Sequence, residues 1–216
     1  MNEFTVVNKC IGLFARRCSG KSFLLRYLLS NEKHEFDKVF VICPTESINH
    51  FYSGLIPEDC IFDKYDDVWV GKLIEKLTEL HRQNKTSSIL LVLDDCIADS
   101  QKFHNSPNLE KVLVRGRHIG LAVMITTQHV TGIPPIVRNN LDYIFCGQMN
   151  RHSVEILSDE FLAGDLDKAG FIKLYNQSTK DYTFFVINAS SVEDNGDLNQ
   201  IYGTIKTPPE FLKKKI

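Results

Sequence analysis

Gly12-Leu13-Phe14-Ala15-Arg16-Arg17-Cys18-Ser19-Gly20-Lys21-Ser22-Phe23-Leu24-Leu25-Arg26-Tyr27 is the stretch whose reading decides the fold. Apolar residues lead into a short polar loop that closes on Gly20-Lys21-Ser22. Phe23, Leu24, Tyr27 and Leu28 then come at helical spacing. Strand, loop and helix in that order are the context of a phosphate-binding loop. Successive backbone N–H groups wrap the phosphates, and the helix N-terminus adds its partial positive charge. Ala15, Arg16, Arg17, Cys18, Ser19, Gly20, Lys21 and Ser22 are therefore the candidate nucleotide-binding residues. Lys21 is expected to reach the β- and γ-phosphates, and the Ser22 hydroxyl to ligate Mg²⁺. Ala15 stands where the pattern usually has its first glycine, a change that costs little if φ is negative there. Arg16 and Arg17 either add charge to the phosphate site or point to solvent. Cys18 reads as a small residue that fits the loop. The competing reading is an accidental Gly-Lys-Ser in a surface loop, and the remainder of the chain decides between the two.

The 216 residues suit one domain, with a core over about 9–150 and a β-rich extension over about 151–216. Hydrophobic content of 43% with 24% charged residues excludes wholesale disorder. The net charge of −2 gives no global attraction for nucleic acid or membrane, so any DNA contact must be local or shared by a ring of subunits. The N-terminus lacks a basic stretch followed by an apolar core, so no signal peptide is expected. The longest apolar run, Ile89 to Leu93, is too short to span a bilayer, and no transmembrane segment is expected. Six cysteines (Cys10, Cys18, Cys43, Cys60, Cys96, Cys146) show neither CxxC nor zinc spacing. They read as thiols in a reducing intracellular compartment.

Outward from the loop, strands alternate with helices. Lys9–Phe14, Lys38–Cys43, Ser88–Leu93, Leu121–Thr127 and Tyr143–Cys146 read as strands, with a brief extended piece at Cys60–Phe62. Helices are expected over Lys21–Ser30 and Asp67–Gln83, from Ser106-Pro107 to about His118 with Gly120 as its stop, and from Pro134 to Asp142. This alternation argues for an α/β fold with a mainly parallel central sheet flanked by helices. Phe171–Tyr175 and Tyr182–Ile187, separated by polar residues, read as a C-terminal β-hairpin addition. The loop Ala98 to Asn105 and the run Lys213-Lys214-Lys215 are the candidate DNA contacts, the second also explicable as a solvated tail.

A phosphate-binding loop calls for a second landmark, an apolar strand ending in an acid. Ile89-Leu90-Leu91-Val92-Leu93-Asp94-Asp95 fits. Asp94 is the candidate to hold Mg²⁺ directly or through water. Asp95, just past the strand end, can position or deprotonate the water that attacks the phosphate. Strand Leu121–Thr127 runs into Gln128, and ligands of open α/β sheets sit at the carboxyl ends of strands. Gln128 is thereby expected near the γ-phosphate, orienting water or sensing hydrolysis. Arg115, Arg117 and His118 precede the same strand, at its opposite end. They are poorly placed for the chain's own phosphate but could reach a neighbour's, as a trans-acting arginine finger does. Their alternative role is to complement a helix dipole. A Ras-type GTPase reading fails, because Asn84-Lys85-Thr86-Ser87 lacks the aspartate of the base-reading motif and precedes its strand. A nucleotide kinase has no need of the Asp94-Asp95 pair.

Ala15–Ser22, Leu91–Asp95 and the run Arg115-Gly-Arg-His-Ile-Gly-Leu121, Thr126-Thr-Gln128 and Ile133-Pro-Pro-Ile-Val-Arg138-Asn-Asn-Leu-Asp142 together resemble the poxvirus-type genome-packaging ATPases of large DNA viruses and virophages. Those belong to the FtsK–HerA superfamily. The resemblance spans roughly residues 9 to 150. It implies a RecA-like P-loop ASCE core, ATP as fuel with Mg²⁺, a homo-oligomeric ring of five or six subunits, and double-stranded DNA as cargo. It also implies capsid or membrane-associated viral proteins as partners, in host cytoplasm or virion. By position it makes Lys21 and Ser22 the phosphate and Mg²⁺ ligands and Asp94 and Asp95 the Walker B pair. Gln128 becomes the sensor, and Arg117 or Arg115 the finger. Asp95 replaces the glutamate of many superfamily members, which implies slower turnover. A cellular or plasmid HerA-type translocase and a nucleotide-dependent assembly scaffold are the alternatives.

Overall fold

The computed structural model describes residues 5–96, 106–193 and 197–212. The strands are β1 (Cys10–Phe14), β2 (Lys38–Ile42), β3 (Ile61–Phe62), β4 (Ile89–Leu93), β5 (Leu121–Thr127), β6 (Tyr143–Cys146), β7 (Thr183–Asn188) and β8 (Tyr202–Lys206). They form one eight-stranded sheet in the order β3-β2-β4-β5-β1-β6-β7-β8. Pairing is parallel from β3 through β6 and antiparallel between β6, β7 and β8. Every residue of β1, β4 and β5 is buried. Helices cover both faces of these central strands, which is why they read as unbroken apolar runs and not as alternating ones.

The longer helices are α1 (Lys21–Glu32), α2 (Asp67–Arg82), α3 (Pro107–Arg115), α4 (Arg151–Phe161) and α5 (Lys168–Ser178). Four of them start on a side chain that accepts a backbone N–H. Asp66 caps α2, Ser106 α3, Asn150 α4 and Asp167 α5. Helix α1 is different: Gly20, at φ 89°, precedes it without a side-chain cap, so its first N–H groups stay available. The two sheet faces carry separate apolar cores. Leu24, Leu25 and Leu28 of α1 pack on one side with Ala122 and Met124 of β5. Val70 and Leu77 of α2 pack on the other with Leu121, Val123 and Ile125. Alternation along β5 thus serves two cores at once.

Register aligns the strand ends. Phe14 stands opposite Thr127 in β5 and Cys146 in β6, and Leu93 opposite Ile125. Residues 15, 94, 128 and 147 therefore emerge along one edge of the sheet.

The C-terminal part corrects the sequence reading. Phe171–Tyr175 is not a hairpin strand but lies inside helix α5. Phe171, Leu174 and Tyr175 fall on one helical face, and the Asp167 cap opens the helix; a short apolar run does not by itself distinguish the two states. The antiparallel partner of β7 is Tyr202–Lys206. The expected Pro134–Asp142 helix is a single turn, Pro135–Arg138. Its tail ends on Asp142, whose carboxylate accepts the Cys10 N–H (2.8 Å) and pairs with Lys9 (3.2 Å). The extension beyond residue 150 mixes helices and strands. Among the described residues no helix is long and apolar enough to cross a membrane. Ala98–Asn105 and Lys213–Lys215 lie outside the described residues.

Candidate active site

The loop between β1 and α1 is pinned at both ends. The Ala15 N–H donates to the Thr127 carbonyl (3.2 Å), and the Arg16 N–H to the Gln148 carbonyl (2.7 Å). Ala15 has a negative φ, so its methyl group is free of backbone strain. Gly147 leaves the space that methyl needs, because a Cβ on residue 147 would stand 2.7 Å from that of Ala15. Cys18 takes the left-handed conformation (φ 62°) and is exposed, as are Arg16 and Arg17. The Arg16 guanidinium donates to Gln148 Oε1 at 2.5 Å, which holds it to the loop's flank. The Ser19 hydroxyl is buried without a hydrogen-bond partner among the described residues.

Lys21 is only 6% exposed, and its Nζ donates to the Ala15 carbonyl at 2.9 Å. Burial pulls its pKa down, while the carboxylates of Asp95 and Asp94 hold the ammonium charged. A buried cation facing two acids across an open loop is an arrangement that a polyphosphate completes, since it brings negative charge and acceptors to Lys21, to the N–H groups of the loop and to Ser19.

Asp94 and Asp95 do different work although they are adjacent. Asp94, 5% exposed, accepts from the Tyr52 hydroxyl (2.6 Å) and the Thr126 hydroxyl (2.6 Å). Burial raises its pKa, and those two hydrogen bonds act in the opposite direction. Asp95 turns out of the strand with φ 53°, its N–H bonded to the same Thr126 hydroxyl (3.0 Å). Its carboxylate then meets the Gln128 amide, Nε2 donating to Oδ2 at 3.1 Å. Because β5 lies between β1 and β4, Gln128 stands between the Lys21 loop and the acid pair.

Tyr52 and Thr126 are site residues that sequence reading missed. Thr126 is legible only as part of a strand end. Tyr52 sits in the loop after β2, and nothing in its sequence neighbourhood points to Asp94. It is held there by Glu46, a buried carboxylate that accepts N–H bonds from Phe51 (2.8 Å), Tyr52 (2.9 Å) and Ser53 (3.0 Å).

Arg115 and Arg117 do not join this site. They are exposed at the amino end of β5, in and beside the 3-10 turn Gly116–Ile119. Arg117 and His118 line a cleft of about 600 Å³ with His81, Lys85 and Ser88. Arg138, by contrast, is consumed internally. It pairs with Glu160 and donates to the Val130 carbonyl (3.3 Å) and to that of Ile133.

The oxygen donors Ser22 and Asp94 suit a hard cation. Mg²⁺ takes one or two protein oxygens together with phosphate and water, so it does not require a dedicated cage. Among the described residues, no group of three or more His, Cys, Asp or Glu side chains forms a metal cluster.

Known proteins share this architecture. B204, the DNA-packaging ATPase from Sulfolobus Turreted Icosahedral Virus, superposes with a TM-score of 0.66 at 18% identity, over 94% of this chain and 100% of that one. The genome packaging NTPase B204 from Sulfolobus turreted icosahedral virus 2, in complex with ATP-gammaS, gives 0.64 at 19% identity, over 93% and 98%. These likenesses show that the fold, a mostly parallel eight-stranded sheet flanked by helices, is shared with those packaging ATPases. In sequence, protein 075L of Invertebrate iridescent virus 6 is 34% identical over 200 residues, 91% of this chain and 76% of that protein. The family model of the poxvirus A32 protein matches residues 8–202, and the chain belongs to that family.

Proposed function

We propose that the protein is a Mg²⁺-dependent ATPase that pumps double-stranded DNA, the genome-packaging motor of a large DNA virus. The observation that carries this reading is the convergence of Lys21, Asp94, Asp95 and Gln128 at one sheet edge. The packaging ATPases of like fold support it, one of them holding ATP-gammaS.

The chain's own groups divide the work. The loop N–H groups, the Ser19 hydroxyl and Lys21 bind the triphosphate. Ser22 and Asp94 would hold Mg²⁺, which would supply positive charge to offset that of the phosphates. Asp95 accepts a hydrogen bond from the attacking water and takes its proton as the water oxygen bonds to the γ-phosphorus, while the bond from that phosphorus to the β,γ-bridging oxygen breaks and ADP leaves with the electron pair. Gln128, already bonded to Asp95, orients that water and registers loss of the γ-phosphate. Thr126 and Tyr52 keep the acids in place.

Arg117 or Arg115 completes the site of a neighbouring subunit in a ring of five or six. With a net charge of −2, contact with DNA is spread over that ring. Capsid or membrane-associated viral proteins anchor it, in host cytoplasm or in the virion.

The test is turnover of Mg²⁺–ATP with and without linear duplex DNA, together with the size of the particle in each condition. Duplex DNA is expected to stimulate hydrolysis and to accompany assembly, and Lys21→Ala to abolish turnover. Nucleotide binding with no turnover would replace the motor by an assembly scaffold. A strict monomer with DNA-independent hydrolysis would end the proposal.

A further inference from the structure

Tyr182 is an aromatic residue in an unusual place. Because β7 runs antiparallel to β6, its start comes back to the sheet edge where the Lys21 loop lies. Tyr182, the residue before β7, leans on that loop: a Cβ on Gly20 would stand 2.6 Å from its Cδ1. The side chain is nevertheless 43% exposed. Asp181 and Tyr182 both have positive φ, 49° and 59°. Two consecutive non-glycine residues in that region are strained, and such strain persists only where the surroundings hold it.

Here two backbone bonds do so, Thr183 N–H to the Lys180 carbonyl (2.8 Å) and Thr207 N–H to the Tyr182 carbonyl (3.1 Å). Thr207, which holds Tyr182 in place, is itself enclosed. It is 0% exposed, yet its hydroxyl has no partner among the described residues. Gln148 flanks the same loop, its amide tied to the Thr179 carbonyl (3.2 Å) and to Arg16. An exposed ring and a fixed amide thus border the outer side of the phosphate loop.

The geometry points to Tyr182 as the platform on which the nucleobase of the bound nucleoside triphosphate stacks. The inference rests on the nucleotide-binding reading of the Lys21 loop and adds the part of the ligand that reading leaves unassigned. Stacking uses the π-face that every base has, so the platform accepts any nucleobase and discriminates weakly between them.

Two ligands separate this role from general support of the loop. Inorganic tripolyphosphate carries the phosphates without a base, and ATP carries both. With Mg²⁺ present and affinity measured by titration calorimetry, Tyr182→Ala is expected to weaken ATP by about 10-fold or more. It should leave tripolyphosphate within about two-fold of wild type, and Tyr182→Phe should retain ATP affinity. Tyr182→Gly, which removes the ring and relieves the positive φ, should behave like Tyr182→Ala. Equal weakening of both ligands, or ATP affinity unchanged in Tyr182→Ala, overturns the platform while leaving the phosphate site intact. Failure of the wild-type protein to bind either ligand removes the nucleotide reading itself, and the platform with it.

Discussion

The two ends of strand β5 carry opposite kinds of chemistry. At the carboxyl end the acids are held by hydrogen bonds: Thr126 bridges Asp94 and Asp95, Gln128 holds Asp95, and Tyr52 closes on Asp94. At the amino end Arg115, Arg117 and His118 are exposed, and among the described residues neither arginine has an ion-pair partner. One end is preorganised for chemistry within the chain. The other presents cations outward, where long side chains keep their freedom until a partner fixes them. Under the proposed function, the exposed arginines are the part that a neighbouring copy of the chain would use.

The largest expected effect breaks that division directly. Asp95→Asn should keep ATP binding and lower turnover by about 10²-fold or more. Arg117→Ala should bind ATP normally as a single chain and lose about 10³-fold in assembled turnover. Mixing the two variants should restore activity well above either alone, because some junctions then pair an intact Asp95 with an intact Arg117. Arg115→Ala in the same mixture identifies which arginine acts. No recovery with either arginine would confine the active site to one subunit.

Stability sharpens the contrast. Tyr52→Phe leaves the buried Asp94 carboxylate short of a donor and should cost about 1–3 kcal/mol in urea unfolding. Arg117→Ala, at an exposed position, should change stability by less than about 0.5 kcal/mol. Equal losses would mean that the amino end is as tightly built as the carboxyl end.

The smallest effect asks whether the strands themselves differ from end to end. Cys10 starts β1 and Cys146 ends β6, and burial raises both thiols, Cys10 to about 12 from an ordinary 9.0. The folded state therefore favours the protonated thiol. That stability is fully present below pH 9 and is lost as pH rises through the folded value. Each thiol should cost about 1 kcal/mol by pH 10, read as a fall in the urea midpoint between pH 8 and pH 10. Cys10→Ala and Cys146→Ala should flatten that slope by similar amounts. A slope carried by one cysteine alone would show that only one end of the sheet is dry.

Much of the site is legible because it is local. Gly20-Lys21-Ser22 and Leu93-Asp94-Asp95 each place chemistry within a residue or two of a strand end, and a parallel sheet brings such ends to one edge. Gln128 comes from the same rule applied to β5. The Ala15 variant is also local: a negative φ tolerates the methyl group, though the space for it comes from Gly147, more than a hundred residues away. Phe171–Tyr175 misleads because four apolar residues around Lys173 fit both periods, and the arbiter, the Asp167 cap, lies outside the segment.

Thus the sequence by itself determined the parallel core, the Lys21 loop and the acids and glutamine set against it, since each depends on short-range pattern and strand order. Tertiary structure alone decided which side chains hold those acids and what stands over the loop. Tyr52 reaches Asp94 from 42 positions away, and Tyr182 reaches Gly20 only because β7 reverses direction. Both contacts depend on the packing of segments distant in the chain, and a one-dimensional pattern of polarity carries no record of it.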